Sequence, residues 1–403
     1  MKDRRLIISA ILTVVCLILY FVFMTIVTVT NSKESISEKI QSAVMKNEIR
    51  KVDSLLSDNA IDLNDEDQFS ELPLFVAVDK GYVEMIDLLI DKGADINKQV
   101  YRAYSNIQDL KPYRNVLELA ILKSPNMIDR LIEKGYNLTP ELNKREDPLI
   151  FALKFNNNID VVKSIVANGI EEYNDGYKTN YLHYAALSGS KEVYDYLLTI
   201  LPNREQEKAE YGKSMIHFAA TSGNLEFFKY MLTRGFSVYE KDNFGRPIVH
   251  FAGSKAVLEY ILEDFSFDVN EKDDFGRTAL FSIFMLENKD QRRKIMKLLL
   301  EKGADVNIQT QSGLSPMHQA ASFGDYDCVK LLIDNGIDVN VCDSLNHTAL
   351  HILAASNNKE ENAKIVKLLL NCGADKTIMY NNSMTALEIA KRVGNKEIIA
   401  LLK

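Results

Sequence analysis

Residues 311–340, QSGLSPMHQAASFGDYDCVKLLIDNGIDVN, describe a unit that cannot fold alone. They read as a turn at Gly313, a first helix from Ser315 to about Ser322, a break at Gly324 and a second helix to about Asn335. Gly336 and an extended tail ending at Asn340 complete the unit. Gly313 can take the positive φ of a tight turn, and Ser315-Pro316 supplies a helix cap followed by a first helical residue. Gly336 sits where a helix ends in a left-handed residue. Two short helices leave an apolar face that only a neighbour of the same shape can cover, so the pattern should recur. The position of His318 recurs at His351, Phe281, His250, His217, His183, Ile150, Glu118, Phe75 and Glu388, with a weaker copy at Gln41. Steps such as 33, 34 and 37 residues separate the copies. The second-helix ending recurs as GADIN from Gly93, GADVN from Gly303, GIDVN from Gly336 and GAD from Gly373.

These units resemble ankyrin repeats, whose pattern runs roughly G-x-T-P-L-H-x-A-A-x-x-G, a second helix, then G-A-D-V-N. GLSPMHQAASFG from Gly313, NHTALHILAAS from Asn346 and GRTALFSI from Gly276 carry the likeness, which extends over about residues 36–403. The resemblance implies an all-α, ankyrin-repeat solenoid of about eleven helix-turn-helix units. Residues 33–66 form a divergent N-terminal capping repeat, 67–403 the ankyrin repeat domain (repeats one to ten), and 384–403 an end cap. It also implies a protein-binding concave face built from turns and first helices. The candidates there are Tyr184, Leu187 and Ser190, then Phe218, Thr221 and Asn224, then Gln319, Ser322, Phe323 and Asp325. The turn-tip aromatics Tyr177, Phe244 and Phe275 join them.

Departures from the period mark special segments. The step from Phe75 to Glu118 is 43 residues, so 98–115 form an enlarged loop whose Tyr101, Arg102, Tyr104, Tyr113 and Arg114 are interface-type residues. After Leu197-Leu198 the fourth repeat lacks G-A-D-V-N, and the charged run TILPNREQEKAEYGKS reads as a solvated extension of the turn. The sixth repeat, around His250, lacks the usual inter-helix length, so its first helix or turn should be trimmed. The seventh and ninth carry extra residues between their helices, LENKDQRR and SNNKEENAK.

The N-terminus is of another kind. Residues 1–5 are a basic flank, and 6–30 hold no charge, 16 of those 25 residues being Leu, Ile, Val or Phe. As a helix this stretch would span about 37 Å, enough for a hydrocarbon core of about 30 Å. It is too long for the apolar region of a cleaved signal and exits through Val27-Thr28-Val29-Thr30 without an Ala-x-Ala site. It therefore reads as a transmembrane signal anchor. Lys2, Arg4 and Arg5 favour a cytoplasmic N-terminus and an extracytoplasmic repeat body. Lys-, Asn- and Ile-rich usage suggests a bacterial source, and hence an inner membrane facing the periplasm. Basic residues at Lys33, Lys39, Lys46, Arg50 and Lys51 leave the opposite orientation open. Cleavage of the segment would instead release an effector or toxin-system component.

Nothing in the pattern proposes chemistry. The net charge of −8 argues against a nucleic-acid groove. The four cysteines show neither disulfide-framework spacing nor a C-x-x-C pair. Five of the six histidines share one repeat position, where the resemblance implies turn support rather than catalysis. Gly212-Lys213-Ser214 looks like the end of a phosphate loop, but residue 207 is Glu where that loop needs Gly. The expectation is a non-enzyme without cofactor, metal, nucleic acid or small-molecule substrate, anchored through 6–30 and binding a protein partner.

Overall fold

A computed structural model of the protein describes residues 35–100, 114–138, 147–169, 178–356, 360–381 and 383–403. Residues 6–30, expected to span a membrane, lie outside these. Among the described residues no helix is long and apolar enough to cross one. The chain forms two compact units: residues up to Ala152 with Lys163–Ile170, and Leu153–Val162 with Glu171–Lys403.

Each unit is built from antiparallel helix pairs, beginning with Ile36–Met45 and Ile49–Asp58 and ending with Ala386–Val393 and Lys396–Leu402. The eighth repeat follows the boundaries expected from its residues. Ser315 caps Pro316–Ser322, Asp325 caps Tyr326–Asp334, and Gly336 is left-handed at φ 83°. Gly313 sits at φ 79°, and a Cβ there would lie 2.8 Å from the Ser344 nitrogen. That turn has no room for a side chain.

The first-helix starts explain why one repeat position accepts His or Glu. In a capping box the residue three after the cap reaches back to the cap's own N–H. Thr385 N–H donates to Glu388 at 2.7 Å, and Ser315 N–H donates to His318 Nδ1 at 3.0 Å. Both side chains perform the same task.

Consecutive repeats are tied by backbone as well as by packing. Turn N–H groups donate to the preceding turn's carbonyls: Asn243 to Tyr211 at 2.7 Å, Asp274 to Phe244 at 2.9 Å, Gln311 to Phe275 at 3.0 Å. The asparagine ending G-x-D-x-N clamps the next repeat. Asn340 donates to the Gly373 carbonyl at 3.1 Å and accepts from Asp375 N–H at 2.6 Å. Asn64 repeats this in the first unit, with Gly93 and Asp95.

Several details correct the sequence reading. The extra residues of the seventh repeat do not loop out. They lengthen its second helix to Lys289–Glu301, because Asn288 caps it and Arg292 finds a buried partner. The run 201–214 is not simply solvated. Ala209 and Gly212 are buried, the Glu207 carbonyl receives the ring N–H of His183 at 3.1 Å, and Glu205 pairs with Arg234. It replaces the missing G-A-D-V-N as the cover of the fourth repeat. A two-strand antiparallel ladder, Met379–Tyr380 with Met384–Thr385, interrupts the all-α expectation at the last turn. The base of the inserted loop is closed by Val100 N–H to the Arg114 carbonyl at 2.8 Å. Its candidates Tyr101, Tyr104 and Tyr113, like Tyr177, lie outside the described residues.

The short sixth repeat is as expected. Its first helix shrinks to the 3₁₀ turn Ile248–Phe251, followed by Lys255–Asp264. The chain is then pulled against the preceding repeat: Gly253 N–H donates to the Ala220 carbonyl at 2.9 Å, and the Ser254 hydroxyl to the Gly223 carbonyl at 2.8 Å.

Candidate interaction surface

Apart from Arg114 in the first unit, the second unit carries the described candidates, and its histidine row sets their frame. His318 Nδ1 accepts from its own cap, and Nε2 donates to the His347 carbonyl of the next turn at 2.9 Å. His351 repeats this with Thr348 N–H at 3.1 Å and the Ile378 carbonyl at 3.1 Å. Acceptance at Nδ1 from a backbone N–H requires that nitrogen to be unprotonated, so the proton sits on Nε2. His250 is the exception. Its cap is Pro247, which has no N–H, and the hydroxyl of Ser282 in the seventh repeat takes its place at 3.0 Å. Burial holds His217, His250, His318 and His351 below the ordinary imidazole value, His217 down to about 4. These rings are neutral structural ties and propose no general base.

Aromatic residues form two rows beside them. Along the turn tips, Tyr211 meets Phe244 at 4.9 Å between ring centroids, and Phe244 meets Phe275 at 5.6 Å. Phe275 is 46% exposed, while Phe244 is half-buried between its neighbours. Along the first helices, Phe218 lies 5.0 Å from the His183 ring and Phe251 4.7 Å from that of His217. An aromatic one position after the histidine thus covers the preceding repeat's imidazole. Tyr184 is half-buried, with Lys154 Nζ 5.2 Å from its ring centroid. Phe323 is 42% exposed at the end of its first helix, 5.7 Å from Phe284, and Gln319 one turn earlier is half-buried.

Some of the proposed face residues have other work. Ser190, Asn224 and Asp325 are helix caps. Asn224 also donates to the Gly189 carbonyl at 2.9 Å, and Asp325 forms a buried pair with Arg292 at 2.6 Å. Their short polar side chains suit a cap, which is the reason for their placement.

Sequence reasoning missed Tyr211, Phe251 and Arg246. The repeated Asp-x-Phe-Gly-Arg of 242–246 and 273–277 was the available signal. In each copy the buried aspartate accepts backbone N–H groups two and four residues on, and the arginine Nε bonds its second oxygen at 2.7 Å. Burial would raise the Asp242 carboxyl, but the Arg246 guanidinium and these N–H groups outweigh it and hold the carboxyl low. Fixed in this way, Arg246 lies over both Phe244 (5.4 Å) and Phe251 (4.8 Å), joining the two aromatic rows.

The chain matches the family described as ankyrin repeats in three copies over residues 116–210, 249–343 and 317–403. It matches the single ankyrin repeat over 71–100. It is 28% identical over 156 residues to an ankyrin repeat protein of fowlpox virus (strain NVSL), covering 38% of this chain and 19% of the relative. It is 35% identical over 72 residues to the human ankyrin repeat domain-containing protein 53, covering 18% and 14%. The chain thus spans less than a fifth of the curated relatives it matches. Among solved structures, the ankyrin repeat domain of Bcl-3 aligns at 23% identity and TM-score 0.41, over 55% of this chain and 96% of that one. An ankyrin repeat domain from Acinetobacter baumannii AYE aligns at 26% and 0.40, over 46% and 95%.

Proposed function

Because the chain belongs to the ankyrin-repeat family, we propose that it is a protein-binding scaffold held at a membrane by residues 6–30. Its partner docks on the turns and first helices of the second unit, where Tyr184, Phe218, Phe244, Phe275, Gln319 and Phe323 lie. The observation that supports this reading is the pair of aromatic rows linked by Arg246. A run of aromatic rings with exposed members is the kind of surface that marks interaction sites. Ankyrin-repeat folds are typically non-enzymatic interaction domains, and the repeat-position histidines His183, His217, His250, His318 and His351 of this one are held at Nδ1 by a backbone N–H or a hydroxyl. The basic flank at 1–5 favours an extracytoplasmic body.

Photo-crosslinking on intact cells tests the docking face. A photoreactive residue at Phe275 or Phe323 should give a discrete protein adduct, and one at the exposed Lys297 of a second helix should not. Equal labelling from all three positions would remove the assignment. External protease on spheroplasts tests the topology: cleavage of the repeat body supports the extracytoplasmic orientation, and protection of a membrane-bound body reverses it. A soluble form lacking the N-terminal peptide would favour a released effector.

A further inference from the structure

The trimmed sixth repeat leaves something behind. The fifth and eighth repeats place Met215–Ser222 and Pro316–Ser322 in the first-helix position, whereas the sixth has only Ile248–Phe251. The seventh is also short there, with Ala279–Ser282 followed by the 3₁₀ turn Ile283–Met285. The missing helical turn is not refilled by side chains, and a cavity of about 280 Å³ opens between the fifth and seventh repeats. Apolar cavities of about 150 Å³ admit benzene, so this one has room for a large side chain. Its apolar lining includes Leu187, Phe218, Val249, Phe251, Ile283 and Met285, the last 71% exposed. Part of the polar lining is engaged: the rings of His217 and His250 are bonded at Nδ1 by Ser214 and Ser282, and the Thr221 hydroxyl donates to the His217 carbonyl at 2.9 Å.

Two cations also line the cavity, in a chain of net charge −8. Arg246 is neutralised by Asp242 at 2.7 Å. Lys213 is not: among the described residues it forms no ion pair, and its Nζ lies 5.4 Å from the Phe218 ring centroid. Burial, and then the Arg246 charge, pull its ammonium below the usual value, against a smaller opposing pull from the Asp242 and Glu210 carboxylates. An unpaired, half-buried ammonium beside an apolar hole is a site waiting for an anion attached to an apolar group.

We propose that this cavity is the anchor pocket of the docking face. It takes one bulky apolar side chain of a partner protein segment, with a neighbouring aspartate or glutamate of that segment pairing with Lys213. The inference rests on the scaffold reading above and adds the chemistry of the partner. A protein segment fits because the pocket continues into the turn-tip row. Arg246 lies over Phe251 of the pocket and over Phe244, which meets Tyr211 and Phe275. An extended chain can follow that row while one side chain is inserted, and the inserted anchor carries most of the affinity.

The test is selection of a nine-residue peptide library displayed on phage against the full chain in detergent, repeated with Lys213→Glu and Lys213→Gln. The expected consensus is an aromatic or large aliphatic residue within two positions of an acidic one. The best peptide should lose at least tenfold in affinity with K213E and several-fold with K213Q, while K213E alone should select basic flanks. Unchanged thermal unfolding of both variants would show that they fold. A consensus without acidic residues, the same consensus from K213E, or no enrichment would overturn the proposal. Crosslinks to a cellular partner from Phe323 that persist in K213E would sink the pocket while leaving the scaffold reading intact. Loss of position-dependent crosslinking in the wild type would sink the scaffold reading itself.

Discussion

A buried imidazole that accepts a hydrogen bond from its own cap and donates one to the next turn must stay neutral. Protonation at Nδ1 would set a donor against a donor and charge a ring without solvent. His318 and His351 make both bonds, and burial holds the folded pKa values of these two and of His217 and His250 below the unfolded value of 6.5. As pH falls, the unfolded chain therefore takes up protons first. The stability these residues contribute is complete above about pH 6.5 and is lost as pH falls towards the folded values, about 4 for His217. At about 1.4 kcal/mol for each pH unit between the two values, His217 alone accounts for about 3 kcal/mol over that window. Asp242 and Asp343 are held below the ordinary carboxylate value of 3.8, so their contribution is lost only under more acidic conditions. Urea midpoints should be flat from pH 8 to 7 and fall steadily from 6.5 to 4.5. The fall should be shallower in His318→Gln, whose amide can both accept and donate. A midpoint that holds constant down to pH 5 would show that the rings do not resist protonation.

Among the elements, the lengthened second helix of the seventh repeat depends on one buried pair. Arg292 and Asp325 are 4% and 6% exposed at the side chain and meet at 2.6 Å. The second guanidinium nitrogen bonds the Leu286 carbonyl at 2.6 Å, which holds the end of that repeat's short first segment. Removing one partner strands the other charge in a dry site and costs about 3–5 kcal/mol. Arg292→Met should therefore destabilise by about that amount. Adding Asp325→Asn, which can still cap Cys328 N–H, should restore a large part of it in a double-mutant cycle. Additive losses would mean the two residues act separately. This pair was hidden in the sequence for a physical reason. LENKDQRR is charged at most positions, which reads as a loop, and only the partner one repeat later lets Arg292 be buried. Elements set by local chemistry were legible, such as the cap at Ser315, the left-handed Gly336 and the turn at Gly313. Those set by a neighbouring repeat were not: the packed 201–214 run, the Pro247-driven Ser282–His250 bond, and the aromatic covers Phe218 and Phe251.

At the scale of the whole molecule, a repeat array is about as stable as its nearest-neighbour interfaces, and each unit can open where its interfaces are weakest. Within the second unit that place is the sixth repeat. Its first segment is a 3₁₀ turn, whose hydrogen-bond geometry is poorer than that of an α-helix, and the cavity beside it removes packing. What holds it is the close approach of Gly253 to the fifth repeat, where a Cβ would collide with the Thr221 carbonyl oxygen. Native-state hydrogen exchange should show amides of 245–270 opening at lower free energy than those of Met215–Ser222 and Pro316–Ser322. Gly253→Ala, by forcing that contact apart, should lower protection there by about 1–3 kcal/mol and leave the eighth repeat unchanged. Uniform protection through 245–270, or a loss spread evenly across the unit in the variant, would mean that the second unit opens as one cooperative block. The same repeat that provides the pocket would then be no softer than its neighbours, and a partner's insertion would have to displace packing rather than use a gap already present.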